Sequence, residues 1–152
     1  MRIIFVCTGN TCRSPMAESI AKRLLPTHQI ESRGLMASEG ASPSAHTEEV
    51  LKIHDYPEPS LAKQFQKEDM KADLILTMTS EHKRWIDHYF GQQSHVYTLK
   101  DYLDSASDIP DPFGSSYEMY LQLFQHLETD IFKLKDRIDK IQLYNQYKFQ
   151  RK

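Results

Sequence analysis

An apolar run that leads through a polar loop into a helix start lies at the beginning of the chain. The stretch from Arg2 to Val6 is almost continuously apolar, as in strands that are buried on both faces of a sheet. A polar loop follows, and Ser14-Pro15 then indicates a helix start, because proline is favoured at the first helical position. The chain therefore opens with a buried strand, a short loop and a helix, which is the first part of a βαβ unit.

The rest of the chain repeats this alternation. Further strands are predicted at Gln29 to Ser32, Asp73 to Met78 and His95 to Leu99, and helices at about Pro43 to Ile53, Leu61 to Lys67 and Ser80 to Tyr89. From Ser116 onward, apolar residues at three- and four-residue steps between Met119 and Ile141 predict a long amphipathic helix, and the polar tail beyond it is expected to fray. The pattern favours the α/β class, with a single domain over residues 1–152 in which helices cover both faces of a parallel sheet.

Composition and charge exclude several classes of protein. The formal net charge of -2 gives no long-range field that would attract nucleic acid or a membrane surface. Apolar runs are too short to span a bilayer, and the N-terminal residues lack the pattern of a secretory signal. The two cysteines, Cys7 and Cys12, are too close together to staple a secreted fold. We therefore expect a cytoplasmic, monomeric protein.

The seven histidines show no spacing typical of a metal site. His82 and His88 lie six residues apart and so on different faces of the predicted helix. We interpret the histidines as surface or satisfied core residues, and we expect no metal ion and no cofactor.

The loop after the first strand has the composition of an anion site that holds a nucleophile. It lies beyond the carboxyl end of a strand, where α/β proteins bind ligands, and successive backbone N–H groups at a helix N-terminus attract an anion. That positive field favours the thiolate form of Cys7, and Arg13 offers a planar fork for two phosphoryl oxygens. The other residues of the loop are predicted to complete the binding site; they are Thr8, Gly9, Asn10, Thr11, Cys12 and Ser14. Among them, Gly9 allows a tight turn, Asn10 braces the loop and Ser14 donates a hydrogen bond to the sulfur.

Each residue alone has a simpler interpretation, since cysteine is often buried and inert and arginine often forms a surface ion pair. Their joint occurrence at a C-x5-R-S spacing between strand and helix favours catalysis. The loop is not a nucleotide-binding P-loop, because the Gly-Lys-Ser/Thr ending is missing.

The segment Cys-Thr-Gly-Asn-Thr-Cys-Arg-Ser-Pro-Met-Ala-Glu resembles the signature of the low-molecular-weight protein tyrosine phosphatases. The resemblance implies a four-stranded parallel sheet, no metal, and phosphorylated proteins as substrates, hydrolysed through a cysteinyl-phosphate intermediate. It also implies that Asp111, in Asp-Pro-Phe-Gly, is the catalytic acid, with Asp108 as the neighbouring competitor. Phe113 would form a wall of the substrate slot or serve ordinary packing.

Two departures from the tyrosine-directed members resemble the protein-arginine phosphatase branch. Thr11 replaces an aliphatic residue that would pack on a phenyl ring, and Gly114 follows Phe113 where a second aromatic is usual. We expect a phosphoarginine substrate, with phosphotyrosine as the alternative. Arg33 departs from both branches and is predicted to lie on the rim of the pocket.

Cys12 has two open interpretations, a resolving thiol for oxidised Cys7 or a space-filling residue under the loop. An arsenate reductase on the same fold passes oxidation along further cysteines, which this chain lacks beyond Cys12, so that activity would need a relay through an external thiol. A non-catalytic phosphoprotein-binding module would be expected to have lost the nucleophile or the acid, and both are present.

Overall fold

Four parallel strands form one sheet within residues 1–105 and 107–151, the part of the chain that the computed structural model describes. In spatial order they are β2 (Gln29–Gly34), β1 (Arg2–Cys7), β3 (Leu74–Thr77) and β4 (Val96–Thr98). The central strand β1 pairs Cys7 with Gly34 on one side and Val6 with Thr77 on the other. The predicted α/β class with a parallel sheet is confirmed.

Helices cover both faces of this sheet. They are α1 (Arg13–Leu24), α2 (Ala45–Ile53), α3 (Ser80–Phe90), α4 (Leu99–Tyr102) and α5 (Tyr117–Gln150). Because successive side chains of a strand point to opposite faces, Phe5 packs with α1, α2 and α5, whereas Val6 packs on the face that α3 covers. The result is the three-layer arrangement that the alternating pattern predicts.

The segment from Leu61 to Lys67, predicted as a helix, is not helical up to Gln66. Gly34 at the end of β2 donates its N–H to the carbonyl of Lys63 and accepts from the N–H of Phe65, so this segment is held against the sheet edge. A 3-10 helix, Lys67–Lys71, follows it. The prediction is wrong because backbone pairing with β2 overrides the local preference.

Other boundaries shift by smaller amounts. Thr79, not Ser80, caps α3, because its side chain accepts from the N–H of His82. The short α4 has no counterpart in the sequence prediction, because four residues are too few to show the hydrophobic periodicity of a helix. The long helix α5 buries the predicted stripe from Leu123 to Ile138, but Met119 and Ile141 at its ends are exposed.

Beyond Ile138 the side chains of α5 are exposed, and the helix continues to Gln150, past the point at which the sequence predicts fraying. No helix in the described part of the chain is both long and apolar enough to cross a membrane.

Candidate active site

A cavity of about 250 Å³ opens where β1 passes into α1, at the carboxyl ends of the strands. Cys7 is the last residue of β1 and Arg13 the first of α1, so the fold itself brings them to the same cavity. The predicted site residues that line it are Cys7, Thr8, Gly9, Thr11, Cys12, Arg13, Asp111 and Phe113. The other two, Asn10 and Ser14, are fully buried and do not line the cavity.

The sulfur of Cys7 is held by one defined hydrogen bond. Its Sγ lies 2.9 Å from the hydroxyl oxygen of Ser14, and that oxygen accepts from Nδ2 of Asn10 at 2.8 Å. The single hydroxyl proton of Ser14 is left for Sγ, because the competing carbonyl of Arg33 is farther away, at 3.4 Å. A hydroxyl donor and a helix N-terminus both stabilise negative charge on sulfur.

Asn10 connects this hydroxyl to a buried carboxylate. Its Nδ2 also donates to the hydroxyl of Ser32 at 2.9 Å, and its Oδ1 accepts from the N–H of Lys63 at 2.9 Å. The Ser32 hydroxyl in turn donates to the fully buried Glu18. Because a carboxylate only accepts, Glu18 takes the proton of Ser32, so Ser32 accepts from Asn10. The amide NH2 of Asn10 only donates, and it therefore sets the direction of the bond to Ser14.

The tight turn that the sequence predicts at Gly9 is not where the backbone is constrained. A side chain at Gly9 would meet only the hydroxyl of Thr11, at 3.7 Å, which is ordinary contact, so no steric conflict requires glycine there. The left-handed residue is Asn10, with φ of 57°, a conformation that asparagine tolerates better than most residues. Gly34 of β2 is the tight position instead, because an added Cβ would lie 2.7 Å from the carbonyl oxygen of Thr8.

The guanidinium of Arg13 is held by the segment that contains Ile109 and Asp111. Its Nη1 donates to the carbonyl of Ile109 at 3.1 Å, and its Nη2 lies 3.7 Å from Oδ2 of Asp111. Ile109 itself donates its N–H to the carbonyl of Met78, just past β3. The guanidinium is therefore tied to the loop that carries Asp111.

The two candidate acids occupy different environments. Asp108 accepts from the N–H and hydroxyl of Ser80 and lies 3.4 Å from Nζ of Lys100, so its carboxylate is engaged at the start of α3. Asp111 faces the cavity, with a side chain that is 53% exposed, and its Oδ1 accepts from the N–H of Phe113. Phe113 is 78% exposed and lines the cavity, so it does not serve core packing.

Three residues that the sequence does not single out support this site. His82 is buried and its Nε2 lies 2.9 Å from Oγ1 of Thr8, although no sequence signal separates it from the other histidines. Gly34 comes from a distant strand and carries no local signal. Glu18 could have been found, because it follows Ser14 by four residues and so shares its helix face.

The prediction for Arg33 is wrong. Its side chain is buried rather than at the rim, with Nε 3.2 Å from Oδ2 of Asp69 and Nη2 3.4 Å from Oε1 of Glu31. Glu31 and Asp69 also pair with Arg2, so the four side chains form one network. The alternation of β2 explains the outcome, since Arg33 points to the face on which the 3-10 helix lies.

Cys12 is a free, buried thiol whose Sγ lies 3.3 Å from the hydroxyl of Tyr120 on α5. Burial raises the pKa of Tyr120, so its hydroxyl keeps its proton. This contact fits a space-filling thiol and a resolving thiol equally well. Within residues 1–105 and 107–151, no three His, Cys, Asp or Glu side chains are grouped so as to hold a metal ion.

The family model described as "Low molecular weight phosphotyrosine protein phosphatase" matches residues 2–143 of the chain. The chain belongs to this family. It is therefore a protein phosphatase, a hydrolase that acts on phosphorylated proteins.

Two kinds of relative within the phosphatase family are similar to the chain. The low-molecular-weight protein-tyrosine-phosphatase PtpB of Staphylococcus aureus is 49% identical over 138 residues, which cover 91% of this chain and 99% of PtpB. The YwlE arginine phosphatase of Geobacillus stearothermophilus is 39% identical, with a TM-score of 0.90 over 94% of this chain and 96% of that one. A further YwlE structure, 37% identical with a TM-score of 0.88 over 92% and 97% of the two chains, is a mutant with a phosphorylated active-site serine in place of cysteine.

Proposed function

We propose that this phosphatase removes phosphate from arginine side chains of proteins through a cysteinyl-phosphate intermediate at Cys7. The observation that carries the choice of substrate is the hydroxyl-bearing Thr11, which lines the same cavity as Cys7 and Asp111. The phosphorylated serine of the YwlE mutant supports a covalent intermediate, because serine replaces the cysteine of that enzyme's active site.

In the first step, Sγ of Cys7 attacks phosphorus and forms an S–P bond while the P–N bond to the guanidinium breaks. Arg13 and backbone N–H groups of the loop hold the phosphoryl oxygens as charge develops on them. Asp111 supplies a proton to the departing nitrogen, which leaves as a neutral or cationic guanidine. The side chain of Asp111 lines the cavity that holds Cys7 and Arg13, which places its carboxyl group within reach of the departing nitrogen.

In the second step, water attacks phosphorus and the S–P bond breaks. Asp111, now ionised, takes a proton from the water, and inorganic phosphate leaves. The sulfur departs as a thiolate, which the hydroxyl of Ser14 stabilises at 2.9 Å. Cys7 and Asp111 then return to their starting states.

Selectivity between the two substrates depends on the walls of the cavity. A guanidinium is planar and polar, and it can donate hydrogen bonds to the hydroxyl of Thr11 and the carboxylate of Asp111. A phenyl ring instead gains from apolar contact, which a threonine and one exposed aromatic, Phe113, supply poorly. The small cavity, about 250 Å³, has no second aromatic wall among the described residues that line it.

Phosphotyrosine is the second candidate substrate. Its support is the 49% identity to a relative that is named a protein-tyrosine-phosphatase, higher than the identity to the YwlE structures. Both substrates would use the same Cys7, Arg13 and Asp111 for the reaction itself. The preference for one over the other therefore depends on the walls of the cavity.

The test is kcat/KM on a phosphoarginine-containing protein and on a matched phosphotyrosine peptide, for wild type and Thr11→Ile. We expect wild type to prefer phosphoarginine and Thr11→Ile to shift the ratio toward phosphotyrosine by about tenfold, the effect of about one hydrogen bond. Cys7→Ser, the control, should abolish both activities. A wild-type preference for phosphotyrosine would overturn the arginine assignment and leave the phosphatase assignment intact.

A further inference from the structure

His82 is a buried polar side chain that the reaction described above does not use. It lies in the first turn of α3 and is 7% exposed. Its Nε2 lies 2.9 Å from Oγ1 of Thr8, the residue that follows Cys7 and lines the cavity. Its Nδ1 is buried and has no hydrogen-bond partner among the described residues.

The unpartnered nitrogen decides which way the hydrogen bond runs. A neutral imidazole carries one proton, so one nitrogen donates and the other accepts. If Nε2 accepted from Thr8, the proton would sit on Nδ1 as a buried donor without an acceptor, which costs free energy. If Nε2 donates to Thr8, Nδ1 keeps an unpaired lone pair, and a buried acceptor without a partner is more common in proteins than a buried N–H without one.

The surroundings keep the ring neutral. Burial and the charge of Arg13 lower the pKa of His82 to about 4, and the weaker influence of Asp108 and Asp111 does not reverse the shift. At neutral pH the ring therefore holds a single proton, and that proton lies on Nε2.

We propose that His82 is a positioning residue that makes the Thr8 hydroxyl a hydrogen-bond donor to the phosphoryl group. Because Oγ1 of Thr8 accepts from Nε2 of His82, its own proton is free to turn toward the cavity. Thr8 is exposed there and adjacent in sequence to the attacking sulfur. Phosphoryl oxygens are strong acceptors, so the hydroxyl adds a donor to those of the loop and Arg13.

This proposal rests on the phosphatase reaction at Cys7 and not on the choice between arginine and tyrosine. The test therefore uses inorganic phosphate as inhibitor, which does not reach the walls that select a side chain, and one small aryl phosphate as substrate for every variant, so that its contact with those walls is the same throughout. A failure here leaves the substrate assignment untouched, and a phosphotyrosine preference leaves this inference untouched.

The variants are Thr8→Val, His82→Leu and the double variant, with His88→Leu as a matched control on the exposed side of α3. We expect Thr8→Val and His82→Leu each to weaken inhibition by phosphate and to lower kcat/KM by about tenfold, as for one charge-assisted hydrogen bond. The double variant should be no worse than either single variant, because the two changes remove the same interaction. Thr8→Ser and His82→Gln, which keep a hydroxyl and a donor, should recover most of the loss.

Three results would overturn the proposal. Unchanged phosphate inhibition in Thr8→Val would show that the hydroxyl does not meet the phosphoryl group, and Thr8 is exposed enough that this variant should fold. Equal effects of His82→Leu in the wild-type and Thr8→Val backgrounds would show that the ring acts independently of Thr8. A lower Tm without a change in phosphate inhibition would assign His82 a purely structural role.

Discussion

The two sides of the cavity differ in how firmly they are held. On one side, Cys7 and Arg13 are 2% and 5% exposed and are tied by hydrogen bonds to Ser14 and Ile109. On the other, Phe113 is 78% exposed and the Asp111 side chain 53% exposed. The side that receives the phosphoryl group is thus organised before substrate arrives, as electrostatic stabilisation of a transition state requires. The side that meets the leaving group is exposed to solvent, so its side chains become enclosed only when a substrate packs against them.

This difference predicts two kinds of mutational effect. A change on the buried side should affect all phosphorylated substrates alike, because every substrate presents the same phosphoryl group. A change on the exposed side should depend on the leaving group, because that is the part of the substrate it meets.

Among the residues that support the buried side, the largest effect is expected from Asn10→Ala. The substitution removes donors to Ser14 and Ser32 and the acceptor for Lys63, and at about 1 kcal/mol each the three hydrogen bonds amount to about 3 kcal/mol. We expect kcat/KM to fall by about 100-fold on phosphoarginine and phosphotyrosine substrates alike. Steady-state kinetics on both substrates, with Tm measured in parallel, checks this.

Asn10→Gly separates the effect of the lost side-chain hydrogen bonds from the effect of backbone strain. Glycine adopts the φ of 57° without the strain of about 1 kcal/mol that alanine carries there, so its remaining loss reports the hydrogen bonds. If the ratio of kcat/KM on phosphoarginine to kcat/KM on phosphotyrosine changed severalfold in either variant, the buried side would not act on all leaving groups alike.

The buried side is also the part that is best predicted from the sequence. Cys7 through Ser14 is one continuous segment between a strand and a helix, so local pattern is enough to bring its residues to one cavity. The parallel sheet follows in the same way from apolar runs that alternate with helical periods. What local pattern misses is contact between distant segments, because no period or spacing encodes it.

Three residues show this limit. Gly34 must lack a side chain because the carbonyl of Thr8 approaches it, and His82 meets Thr8 from 74 residues away. The sequence places Arg33 at the rim because it precedes a glycine-containing loop, yet the pairing of β2 with β1 turns it toward Asp69. In each case, the order and register of the strands determine which distant residue each of these three contacts.

Asp111→Asn should give a loss comparable to that of Asn10→Ala, but one that depends on the substrate. Asparagine keeps the shape but cannot donate a proton to the departing group, and general acid catalysis contributes about 100-fold or more. We expect kcat/KM, which reports the steps up to departure of the leaving group, to fall by that factor on phosphoarginine and on unactivated aryl phosphates. It should fall much less on p-nitrophenyl phosphate, whose leaving group needs no proton. A plot of log kcat/KM against leaving-group acidity should therefore become steeper.

Asp108→Asn is the matched control, because this carboxylate binds Ser80 and Lys100 rather than facing the cavity. It should lower stability more than it changes the leaving-group dependence. If Asp108→Asn steepened the plot and Asp111→Asn did not, the two aspartates would exchange roles, and the acid would lie on the more firmly held part of the loop.

Phe113→Ala should have the smallest effect and separates the two substrates most cleanly. Because the ring is mostly exposed, its removal should change the free energy of unfolding by less than about 0.5 kcal/mol. Loss of ring contact should raise KM by about threefold to tenfold for a phosphotyrosine peptide, where two aromatic rings would stack, at roughly 0.5–1.5 kcal/mol. The loss on phosphoarginine should be smaller if Thr11 and Asp111 supply most of the contact, and Phe113→Tyr should restore both. An equal loss in kcat on both substrates would mean that the aromatic ring orders the Asp111 loop, and the exposed side would then be as firmly organised as the buried one.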